Sequence, residues 1–287
     1  MTPSMDAPAD LVVQAPDIAT PQLKELAKLT GASGIEALQG ATTQAFRLLL
    51  PSERASVAAY CAEAQLDFGF VPRDQTLSRV RLVAMDMDST LITIECVDEI
   101  ADMIGIKPQV AAITASAMLG EIDFRESLTR RVALLAGLDV SALQRVYDER
   151  LRLSPGAQRM LEVFKRGGAT TLLVSGGFTF FTDRLQARLP LDHALANTLE
   201  VAGGKLTGRM QGEIMDAQAK AAEFVRLADA LVGADGLTVA IGDGANDLPL
   251  LSAAQLSVAY RAKPVLRARA DYAIDYCGLD AILNLFR

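Results

Sequence analysis

The chain is 287 residues long, with 51% hydrophobic residues, 22% charged residues and a formal net charge of -7. This length exceeds that of an average domain and the composition is that of a globular protein, so two domains are favoured and disorder is excluded outside the ends. The negative charge argues against a nucleic-acid partner, because phosphate backbones are bound by clustered Lys and Arg.

Residues 1–80 are predicted to form one unit of strands and helices that follows a flexible end. Apolar segments of strand length alternate there with two amphipathic segments of helix length. The predicted strands are 11–15, 34–39, 45–50 and 68–71, and the predicted helices are 20–31 and 52–66. This βαββαβ order is that of the ferredoxin-like fold. Because the segment contains no catalytic cluster, we expect it to be a docking or regulatory module.

The second region begins with RLVAMDMD, an apolar run that is typical of a buried parallel strand. Further strands are predicted at TTLLVSGG, LTVAIGDG and LSVAY, with helical patterns between them. This alternation predicts a doubly wound, Rossmann-like α/β core. Residues 96–153 are predicted to be helical throughout and could form a lid. Residues 194–210 are predicted to form a hairpin that turns at Gly203 and Gly204.

Polar clusters follow three of the predicted strands. The first strand ends at Asp86 and Asp88, the second at Ser175, and the third at Asp243. Because ligands of an open α/β sheet bind beyond the carboxyl ends of its strands, we expect these clusters to converge. Residues 86 and 88 project to the same side of a strand, so one carboxylate could attack while the other moves a proton. The alternative is that such acids only cap the next helix.

A second group of acids favours a metal site. Asp243, Asn246 and Asp247 would crowd against Asp86 and Asp88, and carboxylates in such a group repel one another unless a hard cation binds them. Oxygen ligands of this kind suit Mg²⁺, with water completing an octahedron. The sequence therefore predicts Mg²⁺ as a cofactor.

Ser175, Gly176 and Lys220 are candidates for binding an anion. Two glycines after Ser175 would allow backbone N–H groups to approach a phosphate at the start of a helix, although Ser175 could equally be a helix cap. Lys220 lies in the first turn of a predicted helix, where the helix dipole disfavours a cation, so its position needs a further reason. The alternative interpretation of Lys220 is a lysine on the protein surface.

The predicted lid contributes further candidates. Phe124, Leu128, Val132 and Leu135 fall on one helical stripe, and Arg131 lies at nearly the same angle as Phe124. Such an arginine either extends to solvent or reaches a buried anion. Glu95, where the core meets the lid, could cap a helix or contact a substrate ammonium, and Cys96 beside it is predicted to be a small buried hydrophobe.

No membrane span or secretory signal is predicted, because the longest uncharged stretches, 167–182 and 108–120, are shorter than the ~20 apolar residues that a span requires. Three widely separated cysteines are typical of reduced thiols, so we expect a cytoplasmic protein. The single histidine, His193, lies at a predicted loop and is expected to be structural. Proton transfer would then fall to carboxylates.

Four ordered motifs resemble those of the haloacid dehalogenase superfamily of aspartate-nucleophile phosphatases. They are DMDST, VSGGF, Lys220 and GDGAND. ITIECVDEIAD and AMLGEIDFRESLTRRVALL are similar to the corresponding segments of the phosphoserine-hydrolysing branch. The resemblance implies a core of 81–95 and 154–287, a helical cap of 96–153 and, in 1–80, a domain similar to the ACT-type extension of many members.

The resemblance also implies roles for individual residues. Asp86 would be the nucleophile, and Asp88 would protonate the leaving oxygen and then deprotonate water. Mg²⁺ would be held by Asp86, the Asp88 carbonyl and Asp243, with Asp247 close by. The residues implied to bind the substrate phosphoserine are Ser175, Gly176, Lys220 and Asn246 at the phosphate, Glu95 at the ammonium, Arg131 at the carboxylate, and Met118 and Phe124 over the molecule.

The reaction implied is the last step of serine biosynthesis, through an aspartyl-phosphate. One alternative keeps this chemistry but uses another small phosphomonoester, such as phosphothreonine, or an acceptor other than water. Another is a non-catalytic amino-acid sensor, against which the intact motif residues argue. We retain as a further hypothesis a homodimer formed through the N-terminal region.

Overall fold

The structure is a computed structural model that describes residues 8–38 and 43–287. It contains two β-sheets, one of four strands near the N-terminus and one of seven strands in the remainder of the chain. The first sheet is formed by β1 (Ala9–Ala15), β2 (Gly34–Leu38), β3 (Gln44–Leu49) and β4 (Asp67–Pro72), with α1 (Thr20–Thr30) and α2 (Val57–Glu63) between them.

The small sheet is antiparallel and has the strand order β2-β3-β1-β4. Every residue of β1 is buried, because this inner strand is covered on both faces. Leu11 and Val13 pack with the two helices, whereas Val12 packs with the rest of the molecule. Successive side chains of a strand point to opposite faces of the sheet, so a strand that is covered on both faces has buried residues at successive positions.

One predicted element of this unit is wrong in length. The helix predicted over 52–66 is α2, which begins only at Val57. The residues before α2 form hydrogen bonds elsewhere. The backbone N–H groups of Ser52 and Glu53 both donate to the carbonyl oxygen of Thr30 at the end of α1. These backbone groups therefore satisfy the carbonyl at the end of α1, and their residues lie outside α2.

The large sheet has the order β11-β10-β9-β5-β6-β7-β8. All of its pairs are parallel except the β7–β8 hairpin, which turns at Gly203 and Gly204 as predicted. Its strands are β5 (Val80–Met85), β6 (Thr170–Phe178), β7 (His193–Ala202), β8 (Lys205–Gln211), β9 (Leu237–Gly242), β10 (Leu256–Tyr260) and β11 (Tyr272–Ile274). His193 thus begins a strand and does not lie in the predicted loop.

Helices cover both faces of this sheet, which confirms the predicted doubly wound core. Along β5, Leu82 and Ala84 face a cluster that includes Phe224 and Leu251. Val83 and Met85 face the opposite cluster. The helices of the core are α7 (Ala157–Arg166), α8 (Thr179–Arg188), α9 (Ala217–Leu231), α10 (Leu248–Ala253) and α11 (Pro264–Arg267).

Four α-helices lie between β5 and α7, as predicted for residues 96–153. They are α3 (Cys96–Met103), α4 (Lys107–Met118), α5 (Phe124–Ala133) and α6 (Ser141–Arg145). Their inner faces share the larger hydrophobic cluster with the core, through side chains such as Ile100, Leu128 and Val132. Within the described ranges, no helix has both the length and the apolar character needed to cross a membrane.

The small sheet packs against the C-terminal segment 272–287. Asp67, at the start of β4, accepts hydrogen bonds from the backbone N–H groups of Asp275, Tyr276 and Cys277, at 2.7 to 3.2 Å. Arg47 donates from β3 to the carbonyl oxygens of Asn284 and Phe286. The two sheets are therefore joined by buried polar contacts as well as by apolar packing.

Candidate active site

Three loops bring acidic and polar side chains to the carboxyl ends of β5, β6 and β9. Asp86 directly follows β5, and its backbone N–H donates to the carbonyl oxygen of Ile241 in β9 at 3.1 Å. Asp243 directly follows β9, and the amide of Asn246 donates to Asp86 Oδ2 at 3.2 Å. The predicted convergence of the strand-end clusters is thus observed.

Lys220 lies beneath this cluster and is 1% exposed. Its Nζ is 2.8 Å from Asp86 Oδ2 and 3.0 Å from Asp247 Oδ1. Burial alone would lower the pKa of Lys220, but the two carboxylates raise it above its ordinary value. The ammonium is therefore charged at neutral pH, and the surface-lysine interpretation is wrong.

Carboxylate oxygens of Asp86, Asp243 and Asp247 all lie within 4.8 Å of one another. Burial, together with the negative charges of Asp86 and Glu95, raises the pKa of Asp243 to about 6, and Thr90 Oγ donates to its Oδ1 at 3.2 Å. A group of close carboxylate oxygens matches the ligands that hard divalent cations prefer. The donor set therefore fits a divalent metal.

Asp88 occupies a different environment from Asp86, although one residue separates them. Its Oδ1 is buried and has no hydrogen-bond partner among the residues that the structure describes. Burial raises the pKa of Asp88 well above its ordinary value, and the charges of Glu95 and Asp86 add to the rise. The protonated form is thus favoured, which is the form that a proton donor needs.

Ser175, Gly176 and Gly177 form the end of β6 beside these acids. Ser175 Oγ accepts a hydrogen bond from the Gly177 N–H at 2.9 Å. A Cβ atom on Gly177 would lie 2.8 Å from Met87 Cε, and one on Gly176 would lie 3.1 Å from the Phe124 ring. Side chains at these two positions would fill the space next to the acids, so glycine keeps it open.

Glu95, Phe124 and Arg131 line the same pocket of about 240 Å³ from the side of the helices α3 to α5. Ser89 donates from its hydroxyl to Glu95 Oε1 at 2.7 Å and has a φ of 53°. A non-glycine residue in this left-handed region is strained, and such strain is concentrated at functional sites. Ser89 was not predicted, because a hydroxyl within a motif gives no sign of its partner.

Met118 is the predicted site residue that the structure does not bring to the pocket. It ends α4 and is 75% exposed, as is Leu119 beside it. The pocket-lining residues that were not predicted as site residues include Val97, Asp98, Thr114, Leu128 and Lys263. A larger cleft of about 820 Å³ borders the first residues of β9 and β10, away from the acids.

Comparison with known proteins defines the class. Residues 83–252 match the model of the haloacid dehalogenase-like hydrolases. The chain belongs to this family of hydrolases. Residues 11–57 match a second model, which describes a domain of unknown function.

Individual relatives narrow the class to the phosphoserine phosphatases. The phosphoserine phosphatase of Polaromonas sp. is 51% identical over 219 residues, which cover 75% of this chain and 93% of the relative. A solved probable phosphoserine phosphatase from Vibrio cholerae has a TM-score of 0.82 at 34% identity and covers 96% of this chain and 86% of its own. A solved hydrolase of the same family from Salmonella enterica serovar Typhi has a TM-score of 0.85 at 34% identity, over 97% of this chain and 98% of its own.

Proposed function

We propose that the chain hydrolyses O-phospho-L-serine to L-serine and phosphate, the last step of serine biosynthesis. One observation carries this proposal. Asp86, which forms an ion pair with buried Lys220, lines a pocket whose other wall carries Glu95 and Arg131. One wall supplies a nucleophile and the Lys220 ammonium for a phosphate, and the other supplies partners for an ammonium and a carboxylate. Phosphoserine carries all three groups.

The metal of this site is proposed to be Mg²⁺. Asp86, the backbone carbonyl of Asp88 and Asp243 would hold it, with Asp247 close by. When bound, Mg²⁺ reduces the repulsion between the anionic nucleophile and the anionic phosphate. The close carboxylate oxygens support this assignment, since hard oxygen ligands suit Mg²⁺.

Asp86 is proposed to attack the phosphorus atom, so that an Asp86 oxygen–phosphorus bond forms as the bond from phosphorus to the serine oxygen breaks. Asp88 gives its proton to the leaving serine oxygen and later takes a proton from the water that hydrolyses the aspartyl-phosphate. The raised pKa of Asp88 supports the first of these roles. Two successive displacements replace one difficult step.

The remaining residues would bind the substrate. Ser175, Gly176, Lys220 and Asn246 are proposed to bind the phosphate, Glu95 the ammonium and Arg131 the carboxylate. Phe124 would cover the substrate, since its ring lies against Gly176. Met118 could join it only if the end of α4 moved toward the pocket.

Residues 1–80 are proposed to be an ACT-like, ferredoxin-like domain, and 81–287 a phosphatase domain whose cap is 96–153. The β1-α1-β2-β3-α2-β4 order and the antiparallel sheet β2-β3-β1-β4 support the first assignment. The start of β5 at Val80 supports the boundary. A cytoplasmic location and a homodimer through the N-terminal domain are further hypotheses.

The proposal is tested by measuring phosphate release from phosphoserine, phosphothreonine and simple phosphomonoesters, with Mg²⁺ and after chelation. We expect hydrolysis of phosphoserine that requires Mg²⁺, and a loss of about 10³-fold or more in kcat in Asp86→Asn, which lacks the nucleophile. Asp229→Asn, an exposed change on α9, is the matched control. Activity that survives Asp86→Asn or complete metal removal would overturn the mechanism.

A further inference from the structure

The catalytic pocket carries more acidic than basic groups, although its proposed substrate is an anion. Among the described residues that line it, Arg131 and Lys263 are the basic ones. Lys220, beneath it, is already paired with two carboxylates. The acids that line the pocket are Asp86, Asp88, Glu95, Asp98 and Asp243.

Lys263 is held at the acidic end of this pocket by its backbone. Its N–H donates to the carbonyl oxygen of Asp243 at 2.9 Å, and its own carbonyl accepts the N–H groups of Leu266 and Arg267 in α11. Lys263 is thus fixed to the loop that carries a proposed metal ligand. Its position depends on main-chain contacts and not on its side chain.

The side chain of Lys263, in contrast, has no fixed partner. It is exposed, and its ammonium forms no hydrogen bond or ion pair with any residue in 8–38 or 43–287. Its charge nevertheless acts on the pocket, because it lowers the pKa of both Glu95 and Asp243, which burial raises. An unpaired ammonium that borders the pocket is available to an incoming anion.

We propose that Lys263 is a further substrate-binding residue, which contacts the phosphoryl group from the core side while Arg131 binds the carboxylate from the cap side. This inference rests on the proposed function. The phosphoryl group is assigned to Lys263 because its backbone is bonded to Asp243, at the nucleophile's end of the pocket. A compact ammonium on a flexible stem suits a phosphate that is bound as a point charge.

The test measures inhibition by each product separately, inorganic phosphate and L-serine, in the wild type and in Lys263→Gln. We expect Lys263→Gln to raise the inhibition constant of phosphate about fivefold, the range for one partly exposed ion pair, and to leave that of L-serine unchanged. Lys263→Arg should restore phosphate inhibition. Lys24→Gln, an exposed charge loss on α1, is the matched control.

Two results would overturn the inference. One is a phosphate inhibition constant in Lys263→Gln equal to that in Lys24→Gln. The other is that Lys263→Gln weakens inhibition by L-serine but not inhibition by phosphate. Lys263→Met provides a second neutral variant, and thermal unfolding checks that each variant is folded. If the wild type did not hydrolyse phosphoserine, the proposed function would fail, whereas calorimetric titration of wild type and Lys263→Gln with inorganic phosphate would still decide the role of Lys263.

Discussion

At the scale of single residues, the site is organised by buried charges that fix one another. Lys220 would be costly to bury alone, but it lies within 3.0 Å of two carboxylates. Removing Lys220 would leave two buried carboxylates without their cation, whereas removing one carboxylate would leave Lys220 paired with the other. Asp86, the proposed nucleophile, is therefore oriented before any substrate arrives, and such preorganisation is a major source of catalysis.

Arg131→Ala should reduce selectivity for phosphoserine. Because the lost guanidinium would leave the substrate carboxylate unpaired in the pocket, we expect KM for phosphoserine to rise about 30-fold. KM for phosphoethanolamine, which lacks the carboxylate, should change little. Steady-state kinetics with both substrates would measure this. Arg130→Ala, a neighbouring exposed arginine that pairs with Glu126, is the control. Unchanged selectivity in Arg131→Ala would refute the assignment.

Asp10 is expected to make stability depend on acid pH. Burial would raise its pKa, but the N–H of Leu50 and the guanidinium groups of Arg287 and Arg73 lower it below its ordinary value. The ionised carboxylate therefore contributes stability above the unfolded pKa of about 3.9, and this contribution is lost as the pH falls through the lower folded pKa.

Asp10→Asn should accordingly lower the free energy of unfolding by about 2 kcal/mol at pH 7. The difference from wild type should shrink as the pH falls below about 4, because a protonated Asp resembles Asn. Urea unfolding at several pH values measures it, with the exposed Asp235→Asn as control. A difference that is the same at every pH would contradict the explanation.

At the scale of elements, most strands of the core were predictable and some helix faces were not. The apolar runs of β5, β6, β9 and β10 end at polar or glycine-rich loops, and this contrast marks them. In α9, helical periodicity places Val225 and Leu231 on one apolar stripe with Phe224, yet they are 42% and 44% exposed. The buried face instead contains Lys220, which a count of apolar residues assigns to solvent.

The candidate site likewise contains some residues whose position could be predicted from the sequence and others whose position could not. Asp86, Ser175 and Asp243 could be predicted to meet, because the sheet rule needs only the strand ends. Lys263 and Asp98 could not, because their approach to the pocket depends on how α11 and α3 pack after the strands are in place. No local pattern distinguishes such residues from surface charges.

Asp67 joins two elements, and we expect Asp67→Ala to weaken the packing of β4 against residues 275–277. The change would leave three buried or partly buried backbone N–H groups without their acceptor. The free energy of unfolding should fall by about 2 to 4 kcal/mol. Urea denaturation measures this, with Asp229→Ala as the control. A loss no greater than that of the control would mean that these bonds contribute little.

At the scale of the whole molecule, the two sheets share one hydrophobic cluster. Val12 and Val71 of the small sheet belong to it together with Leu285 and with the residues that cover β5. Gly69 permits this contact, since a Cβ there would lie 2.6 Å from the Tyr272 ring. The two sheets should therefore not unfold independently.

We expect a single thermal transition in which calorimetric and van't Hoff enthalpies agree. Gly69→Ala should lower Tm, because its new methyl group meets the Tyr272 ring, whereas Gly233→Ala, which meets open space, should not. Differential scanning calorimetry tests both expectations. Two separate transitions in the wild type would show that the sheets unfold as independent units.

The packing of the small sheet on residues 272–287 also has a consequence for biosynthesis. About 200 residues separate β4 from this segment, so at roughly 5 to 20 residues per second the ribosome needs about 10 to 40 seconds to supply it. During that interval the cluster that contains Val12 and Val71 lacks residues 272–287, and the nascent chain exposes part of an apolar sheet face. Chaperones that bind nascent chains would bind this apolar face. The face would be covered when the last strand, β11, and the residues after it emerge.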